Sequence, residues 1–175
     1  MNNTFLSRFF ARSSGSIALL ALLAGCNPAE QAVAPVEPTR ETTCSLDGMT
    51  LLDFLGPKAQ IQYSTGAPDF FCSTMEMFSI YLQPEQKKRI TGIFTQDMGK
   101  THWENPKGNW FDAKNGFYVL DSKKMGAMGP TLGAFARQED AETFAKQHGG
   151  KVLQFDQVTI EMVSMSGSSL HDEPM

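Results

Sequence analysis

Polar and apolar residues alternate over Gln60-Ile61-Gln62-Tyr63, the period of a β-strand. A turn at Gly66-Ala67-Pro68 separates this run from Asp69-Phe70-Phe71-Cys72, a short second strand. Ser73-Thr74-Met75-Glu76 has capping-box spacing and predicts a helix to about Leu82, with Pro84 beyond it. Ile90-Thr91-Gly92-Ile93-Phe94-Thr95 reads as a third strand. The same order then returns. Asn115-Gly116 is a turn signal, residues 117–120 and 133–136 read as strands, and a helix runs from Glu139 to about His148. Gly149 stands where a helix-closing glycine belongs, and residues 151–155 form the last strand. Both halves read strand–strand–helix–strand, an α+β pattern of two small similar ββαβ domains. They are expected over residues 44–108 and 109–163, followed by a disordered tail at 164–175.

The segment before this pattern obeys a different logic. Residues 1–25 carry Arg8 and Arg12 and no acid, then the apolar run Ile17-Ala18-Leu19-Leu20-Ala21-Leu22-Leu23. That run is too short for a permanent bilayer span and matches a secretory signal peptide. It ends in Leu23-Ala24-Gly25-Cys26, which resembles the bacterial lipobox. The resemblance implies cleavage before Cys26, with lipid on its sulfur and an acyl group on its amine. The plainer alternative is a secretory signal cut elsewhere, with Cys26 incidental. Asn27, not Asp, follows Cys26, so an inner-membrane retention signal is absent and the outer membrane stays open. Residues 27–43 contain Pro28, Pro35 and Pro38 and no aromatic, so 26–43 is expected to be the lipidated Cys and a flexible tether. Its 17 residues would reach at most ~55 Å when extended.

Composition narrows the function. The chain has 175 residues, with 15 Lys and Arg against 19 Asp and Glu, a net of −4. Loss of residues 1–25 removes two arginines and leaves 13 basic and 19 acidic residues, a net of −6. No basic face is available to displace counterions from phosphates, so nucleic acid is not an expected partner. Ten Met and an odd three Cys stand out. With Cys26 lipidated, Cys44 and Cys72 remain, outside the cytoplasm, where a disulfide can persist.

The motifs of nucleotide binding, zinc proteolysis and serine hydrolysis are missing, and three His with no Cys-x-x-Cys argue against a structural zinc site. The candidate ligands are soft. Cys44 and Met49 lie five residues apart, with Gly48 beside the Met; Met98 sits in Asp97-Met98-Gly99 at the end of the third strand, with His102 four residues on. Met128 lies in the loop Met125-Gly126-Ala127-Met128-Gly129-Pro130. Thiolate, thioether and imidazole together select Cu(I) over hard ions. Taken singly, each of Met49, Met98 and Met128 reads better as a loop-anchoring hydrophobe, and only the combination points to a metal. Met75, Met77 and Met162 fall inside periodic elements and are assigned to packing. His148 reads as a helix-end residue and His171 as a solvated tail residue.

The run of motifs resembles one family. Cys44 with Gly48-Met49, then Asp53-Phe54-Leu55-Gly56-Pro57-Lys58-Ala59-Gln60-Ile61, then Asp97-Met98-Gly99 with Trp103, then Gly126-Ala127-Met128-Gly129-Pro130, then Gly149-Gly150-Lys151-Val152-Leu153-Gln154-Phe155-Asp156 look like the NosL family of nitrous-oxide reductase accessory lipoproteins. The resemblance runs in order over most of the chain after Cys26. It implies a fold similar to the organomercurial lyases. It also implies a non-enzymatic Cu(I) metallochaperone, lipid-anchored on the periplasmic side of a bacterial membrane. Its partners would be the membrane-associated maturation machinery and, directly or indirectly, nitrous-oxide reductase. Many members carry a Cys two residues before the Met, where this chain has Asp47. The expected copper ligands are Cys44 as thiolate and Met49 and Met98 as thioethers, with Met128 and His102 as further donors.

Two rival readings use the same residues. Cys44, Cys72 and Asp47 could mimic the two Cys and one Asp of an organomercurial lyase. Alternatively, a Cys44–Cys72 disulfide would make this a structural or ligand-binding lipoprotein.

Overall fold

The computed structural model describes residues 33–85 and 89–168; the expected signal peptide and lipidated Cys26 lie outside them. The first sheet is antiparallel, in the order β2-β1-β3-β4, from β1 (Ala59–Tyr63), β2 (Asp69–Phe71), β3 (Ile90–Gln96) and β4 (Trp110–Asp112). The alternation read in β1 divides its faces: Ala59 and Ile61 enter the apolar core, while Gln60 and Gln62 turn the other way. Ala59 stands opposite Phe71 on one side and Thr95 on the other. Helix α1 (Thr74–Tyr81) crosses from β2 to β3 and sinks Met77 and Phe78 fully into the core. The capping box at its start is complete, with Ser73 Oγ accepting from Glu76 N–H and Glu76 Oε2 accepting from Ser73 N–H, each at 3.2 Å.

The second sheet has the order β8-β5-β9, built from β5 (Phe117–Leu120), β8 (Gly133–Phe135) and β9 (Lys151–Gln154). Helix α2 (Gln138–His148) packs on it through Ala141 and closes at Gly149, whose φ of 76° suits glycine and whose N–H bonds Ala145 O. A tight hairpin, β6 (Met125–Gly126) with β7 (Gly129–Pro130), replaces the loop expected there. The mixed α/β fold with two ββαβ units is therefore present.

The units do not stand apart. Ile61, Phe71, Met77, Phe78 and Ile93 of the first share one core with Tyr118, Leu120, Leu132, Leu153 and Phe155 of the second. Phe78 meets the Tyr118 ring edge-on at 4.9 Å and the Phe155 ring at 5.0 Å. Thr74 Oγ1 donates to Leu132 O at 2.6 Å, and Met98 N–H to Ala134 O at 2.9 Å. The border expected between residues 108 and 109 is not a boundary between cores. The strand just after it, β4, pairs with β3 and belongs to the first sheet.

Residues 34–36 and 160–168, at the two ends of the described residues, are more ordered than the composition suggests. Gln60 is fully buried; its Nε2 donates to Val36 O and its Oε1 accepts Val36 N–H, both at 2.9 Å. Gln62 Nε2 donates to Ala34 O at 2.7 Å. Two glutamines thus bind the backbone of residues 34–36, which were expected to be free tether. At the other end, helix α3 (Ile160–Ser168) runs through the expected start of the tail, buries Val163 and packs on α1. No helix among the described residues is long and apolar enough to cross a membrane.

Candidate metal centre

A closed turn sets the first ligand. Cys44 N–H donates to Met49 O at 2.8 Å, and Gly48 N–H returns to Cys44 O at 2.9 Å. Gly48 has φ of 77°, a left-handed conformation that a side chain would strain. Asp47 Oδ1 accepts Met49 N–H at 2.9 Å, so this exposed carboxylate braces the turn. Ser45 ties the turn to β2 twice: its N–H bonds Phe70 O at 2.7 Å, and its Oγ accepts Phe70 N–H at 3.1 Å. Docked in that way, Cys44 faces the residue that follows β2, which is Cys72.

Cys44 and Cys72 are 3% and 0% exposed and form a small apolar cluster with Leu51. Met49, Phe54, Phe70 and Ala127 pack around it. The donor atoms of Cys44, Cys72 and Glu76 all lie within 4.8 Å of one another. Cys44 Sγ donates to Glu76 Oε2 at 3.5 Å, and both cysteines are free thiols. Burial raises the Cys44 thiol, opposed by the backbone N–H groups of Cys72, Leu46 and Asp47 directed at it. Cys72 is raised strongly, by burial first and then by the nearby charges of Cys44 and Glu76. Burial also raises the Glu76 carboxyl, against the hydrogen bond from Cys44.

A lysine completes the surroundings. Lys58 is 1% exposed, and its Nζ donates to Phe54 O at 2.7 Å, Gly56 O at 2.9 Å and Leu55 O at 3.1 Å. Those bonds use all three ammonium donors. No carboxylate forms an ion pair with it among the described residues. Burial lowers Lys58 to about 8, while the charges of Cys72 and Glu76 hold it up.

The other expected ligands fall elsewhere. Met98 packs against the cluster of Val119, Phe135 and Ala141, and lines a cavity of about 220 Å³ with Phe135, Asp140 and Phe144. His102 is exposed in the loop before Trp103. Met128, 60% exposed, sits at the hairpin tip beside Ala127, which touches the cysteine cluster. The structure therefore joins Cys44 and Met49, carries Met128 to the edge, and leaves Met98 and His102 outside the cluster. Cys72, weighed earlier only for a disulfide or a lyase, proves central. Glu76 was legible as a cap, and Lys58 only as part of a motif; no local signal marks either as a neighbour of the thiols.

Two thiols and a thioether in a buried apolar cluster suit a soft ion of low charge. The family model described as NosL matches residues 35–163. The copper-binding lipoprotein NosL of Stutzerimonas stutzeri is 35% identical over 175 residues, covering 95% of this chain and 92% of its own. Its counterpart from Achromobacter cycloclastes is 37% identical over 152 residues, covering 83% and 79%. The crystal structure of the copper chaperone NosL from Shewanella denitrificans superposes with a TM-score of 0.69 at 34% identity, over 73% of this chain and 96% of that one. These are names of copper-binding proteins, not of enzymes. A family model spanning most of the chain and a shared fold at this level of identity lead to one conclusion: the chain belongs to the NosL family.

Proposed function

We propose that this protein is a lipid-anchored periplasmic metallochaperone that carries Cu(I) for assembly of the copper centres of nitrous-oxide reductase. The observation that carries the reading is the closed turn that sets Met49 beside the buried thiol of Cys44. A thiolate neutralises Cu(I), and a thioether adds a neutral soft donor whose affinity does not depend on a proton. Such a site holds copper yet can yield it to a partner. Relatives named copper-binding lipoproteins and a copper chaperone support the reading.

Lipid on Cys26 would keep the carrier at the membrane, where more than one acyl chain makes attachment stable. The partners are then the membrane-associated maturation machinery and, directly or through it, the reductase. Competition between the reduced protein and a Cu(I) chelator tests the cargo: one Cu(I) per chain, held far more tightly than Zn(II), is the expected result. Equal or better Zn(II) retention would count against it. Cys26→Ser tests the anchor, since that variant should leave the membrane fraction while staying folded.

A further inference from the structure

We propose that Cys72 is a second thiolate ligand of the copper beside Cys44 and Met49, and that the buried ammonium of Lys58 is the standing counter-charge for the resulting dithiolate. The proposal rests on the copper reading above and specifies the site. Three observations carry it.

The first is spacing. Bonds from thiolate sulfur to a d10 metal are about 2.3 Å, so an ion between two opposed sulfurs spans about 4.6 Å. Cys44 Sγ and Cys72 Sγ lie within 4.8 Å of each other, close enough for one ion to bond both. The second is burial. Both sulfurs sit behind Leu51, Phe54 and Phe70, in surroundings that penalise a net charge. Cu(I) bound by two thiolates carries one negative charge, and that charge requires an opposite one nearby.

The third is Lys58. A fully buried lysine is rare unless paired, because desolvating an ammonium is costly. Here three carbonyl dipoles hold it and no carboxylate pairs with it among the described residues. Phe54, whose carbonyl it holds, packs against the Cys44–Cys72 cluster, and the groups that act on it electrostatically are Cys72 and Glu76. With every donor used on the 54–56 backbone, it acts on the sulfurs as a fixed positive charge, not as a hydrogen-bond donor. In the metal-free protein Glu76 Oε2, anchored by Ser73 N–H, accepts a hydrogen bond from the Cys44 thiol and keeps the sulfur in position. That bond ends when the thiol ionises on binding the metal. Binding is then a ligand exchange without redox change: two S–H bonds break, two Cu–S bonds form, and the thiol protons leave to water or solvent-linked bases.

X-ray absorption at the copper edge of the selenomethionine-labelled, Cu(I)-loaded protein is the primary test. Labelling turns every methionine thioether into selenium, and a Cys26→Ser background removes the lipidated sulfur, so the remaining sulfur donors are Cys44 and Cys72. Two sulfurs with selenium from Met49 are expected; one sulfur with selenium overturns the proposal while leaving the copper reading intact. Failure of the unlabelled parent to retain Cu(I) against a chelator would instead remove the copper reading itself. In chelator competition, Cys72→Ser and Lys58→Met should each weaken Cu(I) at least tenfold in protein shown to be folded by circular dichroism. A merely structural lysine would shift the melt and leave the folded protein's copper affinity unchanged, and that result would overturn its role as counter-charge.

Discussion

Cys44 Sγ lies 3.5 Å from Glu76 Oε2, and the same oxygen accepts the N–H of Ser73 at 3.2 Å. One carboxylate therefore caps a helix and holds a thiol from a loop 32 positions earlier in the chain. The start of α1 and the candidate metal site are one construction. A change at either end should be felt at the other.

That shared carboxylate gives a pH dependence. Burial raises the folded-state Glu76 carboxyl above its ordinary 4.5, so the folded protein holds this proton more tightly than the unfolded chain. The contribution is fully present below 4.5 and is lost as pH rises through the folded value. Glu76→Gln keeps an oxygen acceptor and removes the titration. The stability advantage of the metal-free parent over this variant should shrink as pH climbs from 4.5, as read from denaturant midpoints of both proteins across the range. A difference that stayed flat would contradict the burial effect.

Cys44→Ser should weaken Cu(I) binding at least tenfold, about 1.4 kcal/mol. Met98→Ala should leave it near the parent value, because Met98 packs with Phe135 and Ala141 and not with the thiols. A chelator-competition series on the two variants checks both. Copper loss in Met98→Ala alone would reverse the assignment.

Helix α1 offers a stability test apart from copper. Met77 is fully buried, whereas Met75 is only partly so. Met77→Ala should cost about 2–5 kcal/mol through the cavity it leaves. Met75→Ala should cost less. Thermal melts by circular dichroism rank them, and equal losses would mean that burial does not set the cost here.

Removal of the Gln60 amide should release the segment before Cys44. Gln60→Ala deletes the paired bonds to Val36, each contributing about 0.5–1.5 kcal/mol net. Limited proteolysis should then cut residues 33–43 faster while the sheet resists. Unchanged cleavage would mean that Gln62 and the Thr43–Thr50 bridge suffice.

The chain by itself determined whatever short-range physics controls. Alternation marked β1, the Ser73–Glu76 spacing marked the start of α1, and Gly149 marked the end of α2, because each depends on residues within a few positions. The spacing of Cys44, Gly48 and Met49 likewise encoded a turn that closes on itself. Tertiary structure decided the rest. Polar composition hid the order of residues 34–36, since it is supplied by two glutamines about 25 positions away. The three-residue strand β4 has too little pattern of its own and exists because β3 offers it an edge. Helix α3 is held by packing on α1 rather than by a strong amphipathic repeat. Cys72 faces Cys44 because Ser45 docks the turn on Phe70, and Lys58 is buried because the 54–56 backbone, whose Phe54 packs on the thiol cluster, wraps its ammonium. Contacts between residues so distant in sequence form only when the sheet register is fixed, and local periodicity carries no record of that register.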